Sequence, residues 1–282
     1  MNFREQAEKA ERFRKLHHGP RMLLLPNAWD VASARILEEA GHRAIATTSA
    51  GIAYSLGYAD GQNISRDEML SMVSRIARAV RVPVTADLES GYGTTPKAMS
   101  ETVTAAIEAG AIGMNLEDLS GDDKQPLVDL PLQVEKIQAI RESAAAMGVP
   151  FVLNARTDVY LAGIGPEATR FDRTVERLRA YRKAGADCVF APGLTDLDTI
   201  AELAKAVEAP LNILALAAGP PMAELERVAV ARVSTGSGIM RAAMGLTQRI
   251  AKEMIAERSC QSMFAGATPF VDLKRMMTRE QP

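Results

Sequence analysis

Along the chain, short runs of Val, Ile, Leu and Ala alternate with longer stretches whose apolar residues recur every three or four positions. The short runs are strand patterns and the long ones are amphipathic helix patterns. Strands are predicted at residues 22–26, 43–47, 82–88, 112–117, 150–156, 187–191, 211–214 and 231–234. Helices are predicted between them at 31–40, 66–80, 97–109, 132–147, 172–184, 199–207 and 223–228. Strict alternation of strand and helix predicts a parallel sheet with helices outside it. Eight such strands suit a closed (β/α)8 TIM-type barrel, with a doubly wound open sheet as the alternative. Ala-Gly recurs at Ala40-Gly41, Ala109-Gly110 and Ala184-Gly185, which places glycine where each helix turns into the next strand. Nothing in between reads as a linker, so one α/β domain is expected over 1–282. It carries an N-terminal helix (3–16, within 1–20), an amphipathic segment at 239–258 and a C-terminal tail at 259–282.

Composition narrows the class. The 282 residues hold 33 Lys and Arg against 35 Asp and Glu, a net charge of −2, without a long run of either sign, and only 5% are aromatic. That balance argues against nucleic-acid binding. Hydrophobic residues make up 47%, enough for a core, yet uninterrupted apolar runs such as 213–218 are far shorter than a membrane span. The first 18 residues mix Glu with Arg and Lys and resemble neither a signal nor a transit peptide. Two cysteines, Cys188 and Cys260, form no disulfide framework, so a cytoplasmic protein is expected. Cys188 lies in an apolar strand and reads as a core thiol.

In a barrel of this kind the chemistry sits just past the strand C-termini. Those positions here read Thr48-Ser49-Ala50-Gly51, Asp87-Leu88-Glu89-Ser90-Gly91-Tyr92-Gly93, Glu117-Asp118, Asn154-Ala155-Arg156-Thr157-Asp158 and Ser234-Thr235-Gly236-Ser237-Gly238. Asp87, Glu89 and Glu117 would converge at one rim, where like charges need a cation between them. Carboxylate oxygens suit Mg2+, or Mn2+. The histidines are His17, His18 and His42, all before the second strand ends, which excludes a His-based zinc site there. Arg156 has the planar fork for a substrate carboxylate or phosphonate; an internal ion pair to Glu117 or Asp158 is its competing role. Backbone N–H groups around Ser49, Ala50 and Gly51 could form an anion nest. Trp29 could wall the pocket mouth or pack on the N-terminal helix. No lysine stands at a strand end, which argues against Schiff-base chemistry.

These motifs together resemble the isocitrate lyase and phosphoenolpyruvate mutase superfamily. The resemblance is carried by Pro26-Asn27-Ala28-Trp29-Asp30, Ser33-Ala34-Arg35, Leu56-Gly57-Tyr58-Ala59-Asp60, the Asp87 to Gly93 stretch, Asn115-Leu116-Glu117-Asp118 and Ala155-Arg156-Thr157-Asp158. Glu89 stands where the D-x-D-x-G-Y-G signature of the family has its second Asp. The resemblance implies an α/β barrel, usually a homotetramer whose last helix is exchanged between neighbours, with a homodimer as the smaller alternative. It implies Asp87 as the main Mg2+ ligand, Asp60, Glu89 and Glu117 holding metal-bound waters, and Thr48, Ser49 and Ala50 holding the substrate carboxylate, with Arg156 at its other end. The implied activity is Mg2+-dependent carbon–carbon cleavage or decarboxylation of a small 2-oxo or 2-hydroxy di- or tricarboxylate through a pyruvate-type enolate, as in isocitrate and methylisocitrate lyases. Carbon–phosphorus chemistry on phosphonopyruvate is the alternative, and a non-catalytic metabolite-binding barrel is the third reading. The departure lies at residues 119–127, Leu-Ser-Gly-Asp-Asp-Lys-Gln-Pro-Leu. This gating segment lacks the K-[KR]-C-G-H motif of the lyases, and Lys124 is its only cationic candidate.

Overall fold

The computed structural model describes residues 3–278, so residues 1, 2 and 279–282 of the predicted terminal segments lie outside the described residues. Helix α1 (Phe3–Leu16) precedes β1 (Leu23–Leu25), β2 (Asn27–Ala28), α2 (Val31–Glu39), β3 (Ile45–Thr47), α3 (Ser49–Ser55) and α4 (Arg66–Ala79). Next come β4 (Val84–Asp87), α5 (Pro96–Glu108), β5 (Gly113–Leu116), α6 (Leu130–Ala146), β6 (Val152–Arg156) and α7 (Glu167–Ala184). The chain ends with β7 (Cys188–Phe190), α8 (Leu197–Val207), β8 (Leu211–Leu214), α9 (Met222–Arg227), β9 (Arg232–Ser234), α10 (Gly238–Ala256), α11 (Gln261–Phe264) and α12 (Phe270–Met277).

All strands are parallel, in the order β1-β9-β8-β7-β6-β5-β4-β3-β2. The first predicted strand, 22–26, is thus two short ones flanking Pro26. Proline has no N–H for the ladder, although its carbonyl still accepts from the Ala46 N–H at 2.9 Å. Since β1 pairs with β9 and β2 pairs with β3, one extended segment joins both ends of the sheet. The barrel closes through it, as the strand count predicts.

The helices start and stop where local chemistry requires. Asp30 and Ser33 form a reciprocal cap on α2, and Ser65, Thr95 and Asp196 cap α4, α5 and α8 through their side chains, satisfying donors that a first turn leaves open. Helix α7 ends at Gly185, whose φ of 116° is left-handed backbone that favours glycine. It begins five residues before the predicted 172, because its first turn, Glu167-Ala168-Thr169-Arg170, carries no apolar periodicity. Helix α3 went unpredicted for a similar reason: Ser-Ala-Gly is a poor helix-forming start, here capped by Thr48.

Helix α1 stoppers the N-terminal end of the barrel. Ala10 and Phe13 are fully buried, and the Gln6 amide donates to the carbonyls of Ile107 and Ala111 at 2.8 and 2.7 Å. The opposite end is open for chemistry. Among the described side chains of α10, Met240 alone is buried, and Ile255 is 86% exposed. The chain then returns, with the Arg35 guanidinium donating to the Met276 carbonyl at 2.7 Å and Arg275 pairing with Glu39 at 2.9 Å. No helix among the described residues is long and apolar enough to cross a membrane.

Candidate active site

Strand β4 delivers Asp87 to the barrel mouth, and its neighbours hold it there. Its Oδ2 accepts from the Ser49 N–H at 3.1 Å and the Ser49 hydroxyl at 2.9 Å, while Oδ1 accepts from the Asn115 amide at 3.1 Å. The Asn154 amide donates to Asn115 Oδ1 at 2.8 Å, so Asn115 must present its NH2 to Asp87. After Asp87 the backbone takes left-handed turns at Glu89 (φ 52°), Gly91 (φ 92°) and Tyr92 (φ 57°). Such conformations are strained for side-chain-bearing residues. A substitution at Gly91 is strained by its φ of 92° and would have to displace the Met99 side chain, whose sulfur lies 2.4 Å from where a Cβ would stand.

The second half of the site is a chain of buried ion pairs. Arg156 Nη1 reaches Glu117 at 2.6 Å, and its Nε and Nη2 grip Asp158 at 3.0 and 2.6 Å. The Asp158 N–H donates to Asp118, which also accepts from Arg177 Nε at 2.6 Å and from the Tyr181 hydroxyl at 2.7 Å. The internal pairing weighed for Arg156 is therefore present on both sides, leaving the remaining N–H groups of its fork as donors to a ligand.

Carboxylates crowd at this mouth. Burial, then the neighbouring Asp87 and Asp60, push Glu89 up to about 7. Burial and Asp87 also raise Asp60, which sits on the exposed loop after α3. Burial raises Glu117 as well, opposed by the Arg156 guanidinium. The Tyr92 hydroxyl is buried without a hydrogen-bond partner and raised by burial and by these same carboxylates.

Among the described residues no three acidic, His or Cys side chains converge as a ready ligand cage. The donor set still fits a hard divalent ion: one carboxylate fixed by neutral donors, others within electrostatic reach, and Glu89 Oε1 buried with no partner. Mg2+ commonly keeps several waters and takes one or two carboxylates directly.

Of the predicted substrate-binding residues, Ser49 is committed to Asp87 and Thr48 caps α3 by accepting from the Gly51 N–H at 3.3 Å. The expected nest is thus a helix N-terminus, where Ala50 supplies a first-turn N–H. Lys124 is exposed, its backbone N–H bound to Asp122 at 2.8 Å, and it is not among the groups that shift the carboxylates. Among the described residues it makes no ion pair with the carboxylates of the mouth. Segment 119–127 is a pinned hairpin: Leu119 bridges Leu127, and Leu127 packs with Val159 and Ile164. Trp29 packs on the core, its Cβ 3.0 Å from where a Gly51 Cβ would lie. Cys188 is a buried thiol raised to about 12 by burial, as its apolar strand predicts.

Sequence reasoning missed Asn115 as an orienting residue, and Lys136. The last is buried on α6, donates to the Ser90 carbonyl at 3.0 Å and is lowered to about 8 by burial. It lines a hollow of about 380 Å³ beside the carboxylates, between the loops after β4 and β5.

With this geometry in place, comparison with known proteins is informative. The family model described as phosphoenolpyruvate phosphomutase matches residues 13–255. The chain belongs to the phosphoenolpyruvate phosphomutase family. A solved Burkholderia cenocepacia structure, provisionally described as a lyase/mutase, superposes with a TM-score of 0.91 at 41% identity, covering 98% of each chain. A Mycobacterium tuberculosis protein is 37% identical over 80% of this chain and 81% of its own length. The 2-methylisocitrate lyase of Escherichia coli is 32% identical over 66% of this chain and 64% of its own. The isocitrate lyase and phosphoenolpyruvate mutase superfamily, to which this family belongs, includes lyases and mutases on parallel α/β barrels, and the fold described above is such a barrel.

Two outcomes follow for a phosphomutase-family site built this way. Glu89 holds its proton more tightly folded than unfolded, where its ordinary value is 4.5. Between about 4.5 and about 7 the folded state therefore binds more protons than the unfolded one, so stability falls as pH rises through that window and levels off above it. Urea titrations of metal-free protein at pH 5, 6, 7 and 8 should show that fall, and Glu89→Gln should flatten it. Arg156→Lys keeps the charge but loses the fork that spans Glu117 and Asp158. A charged hydrogen bond of this kind is worth about 1.5–3 kcal/mol, so kcat/KM should drop roughly 10- to 150-fold.

Proposed function

We propose that this protein is a Mg2+-dependent lyase or decarboxylase acting on a small 2-oxo or 2-hydroxy di- or tricarboxylate, breaking a carbon–carbon bond next to an enolate-forming unit. The observation that carries the reading is the pairing of a fixed Asp87 with a half-committed Arg156 across one barrel mouth. Likeness to 2-methylisocitrate lyases supports it. Asp87 would hold the ion, Mg2+ or Mn2+, directly, and Asp60, Glu89 and Glu117 would hold it through water. When bound, the ion would supply positive charge opposite the negative charge that develops on the enolate oxygen.

The chain supplies orientation. Ser49 and Asn115 hold Asp87 in place at the mouth, Ala50 and the start of α3 offer N–H donors to the substrate carboxylate, and the free edge of Arg156 takes an anionic group across from it. Glu117 and Asp158 restrict Arg156 to that position. The hairpin 119–127 holds no Cys or His, and the exposed Lys124 is given no proton-transfer role.

Screening 2-oxo and 2-hydroxy acids for pyruvate or glyoxylate release with a coupled dehydrogenase tests this reading; silence across both sets, with Mg2+ present, would contradict it. Carbon–phosphorus chemistry is favoured by one feature, the match of the phosphoenolpyruvate phosphomutase family model to residues 13–255. Turnover of phosphonopyruvate followed by phosphorus NMR separates the two.

The assembly is proposed to be a homo-oligomer, a tetramer whose α10 helices pack on neighbouring barrels. Helix α10 and the following segment leave Met244, Met254, Ile255 and Phe264 exposed, apolar side chains that a neighbouring barrel would cover. Sedimentation at micromolar concentration should give a species larger than 30.4 kDa, and a stable monomer would refute the assignment.

A further inference from the structure

The barrel interior holds a second guanidinium besides that of Arg156. Arg232 of β9 is 1% exposed, and it points inward like Ser234 two residues on, while Val233 between them joins the packing of sheet on helices. Its side chain crosses the lumen. The Phe13 ring of the stopper helix α1 lies 6.0 Å from the guanidinium carbon, and Nη2 lies 3.5 Å from Asn115 Oδ1 on β5, four strands away in the sheet order. Arg156 is paired twice with carboxylates, whereas Arg232 makes no ion pair among the described residues, and its Nε and Nη1 have no hydrogen-bond partner. The interiors of such barrels are usually filled by branched apolar side chains, so an unpaired cation here calls for a role.

The side chains around it bring no counter-charge. Leu23 and Asn212 stand level with it on the flanking strands β1 and β8. Burial, and then the charge of Arg232 itself, lower His17 to about 3, so that ring is neutral, and burial keeps Cys188 a neutral thiol. Burial also lowers Arg232, to about 10, which leaves it charged at neutral pH; the carboxylate that acts against this lowering is Asp87. Asn115 stands between the two. Its Oδ1 faces Arg232, and its amide donates to Asp87 Oδ1 at 3.1 Å. A buried charge without a partner is costly, and here each of the two charges offsets the other through one amide.

We propose that Arg232 is the built-in counter-cation of Asp87, a positioning residue that holds Mg2+ affinity down and the affinity for an anionic substrate up. The inference rests on the proposed reading of Asp87 as the carboxylate that takes the ion, and adds how tightly that ion is held. A resident positive charge opposes an incoming divalent cation and attracts an incoming carboxylate. At an effective permittivity of ~20, unit charges about 8 Å apart still interact by more than a factor of ten. A structural plug, seated only to close the barrel on Phe13, would behave differently: its loss would loosen the site and weaken both ligands together.

The test is calorimetric titration of the full-length protein, first with Mg2+ alone and then with oxalate at saturating Mg2+. Arg232→Met removes the charge and keeps much of the volume; it should bind Mg2+ roughly tenfold more tightly and oxalate roughly tenfold more weakly than the wild-type protein. Arg232→Lys keeps the charge and should leave both affinities within about threefold of wild type. If Arg232→Met does not fold, Arg232→Gln, which drops the charge but keeps an amide donor for Asn115, should show the same opposed pair of changes. Both affinities falling together, or neither moving, in the charge-free variant would overturn the inference while leaving the site intact. Absence of Mg2+-dependent oxalate binding by the wild-type protein would instead overturn the underlying reading.

Discussion

Asp87→Ala is expected to lower kcat/KM by about 10³-fold or more, with the half-saturating Mg2+ concentration rising as well. Charge stabilisation by a bound divalent ion is worth several kcal/mol in the transition state, and each 1.36 kcal/mol is about tenfold in rate. Asp87 is the carboxylate whose oxygens are both oriented by neutral donors, from Ser49 and Asn115, so nothing else at the mouth is equally placed to take over. Excess Mg2+ should therefore restore only part of the rate. Asp87→Asn should be nearly as damaging, because its NH2 would meet either the Ser49 donors or the Asn115 amide. Steady-state kinetics across a Mg2+ titration check both, and full activity of Asp87→Ala in EDTA would remove Asp87 from its role.

Arg177→Met is expected to destabilise the fold by about 3–5 kcal/mol, since removing one partner of a buried pair leaves an uncompensated charge. Asp118 is fully buried, and Arg177 is the only basic side chain within ion-pair distance of it among the described residues. Tyr181 would still donate, but a neutral hydroxyl offsets only part of the charge. The loss should travel, because Asp118 also accepts from the Asp158 N–H and Asp158 holds Arg156. Urea denaturation should thus show a lower midpoint with an unchanged slope, and the folded variant should bind substrate more weakly. A change below about 1 kcal/mol would mean that the network is not structural.

The barrel was legible in the sequence because its signal is repeated: eight apolar runs, each followed by a helical pattern and several by glycine. What escaped was local and unrepeated. Pro26 splits the first strand because a single missing N–H interrupts pairing on one side, which hydrophobic pattern does not register. Helix α3 is seven residues of Ser, Ala, Gly, Ile and Tyr, too short for periodicity, yet it changes the role of Ser49 from an open donor to a brace for Asp87. The carboxylates were visible as residues at consecutive strand ends. The pairing of Asp118 was not, since with Arg177 and Tyr181 it joins positions 59 and 63 apart in the chain, and sequence spacing gives no sign of such a contact. Lys124 drew attention as the only cation of its segment; the hairpin closed by Leu119 and Leu127 holds it exposed to solvent.

The central claim is that the mouth binds a divalent cation and a planar oxo acid together. Oxalate resembles the enolate of a 2-oxo acid, so calorimetric titration with Mg2+ and oxalate, each in the presence and absence of the other, is the most direct measurement. The account predicts that each ligand tightens the other by at least about tenfold, a coupling of roughly 1.4 kcal/mol, and that Asp87→Ala abolishes the coupling. Independent binding, or no binding with both at millimolar concentration, would contradict it.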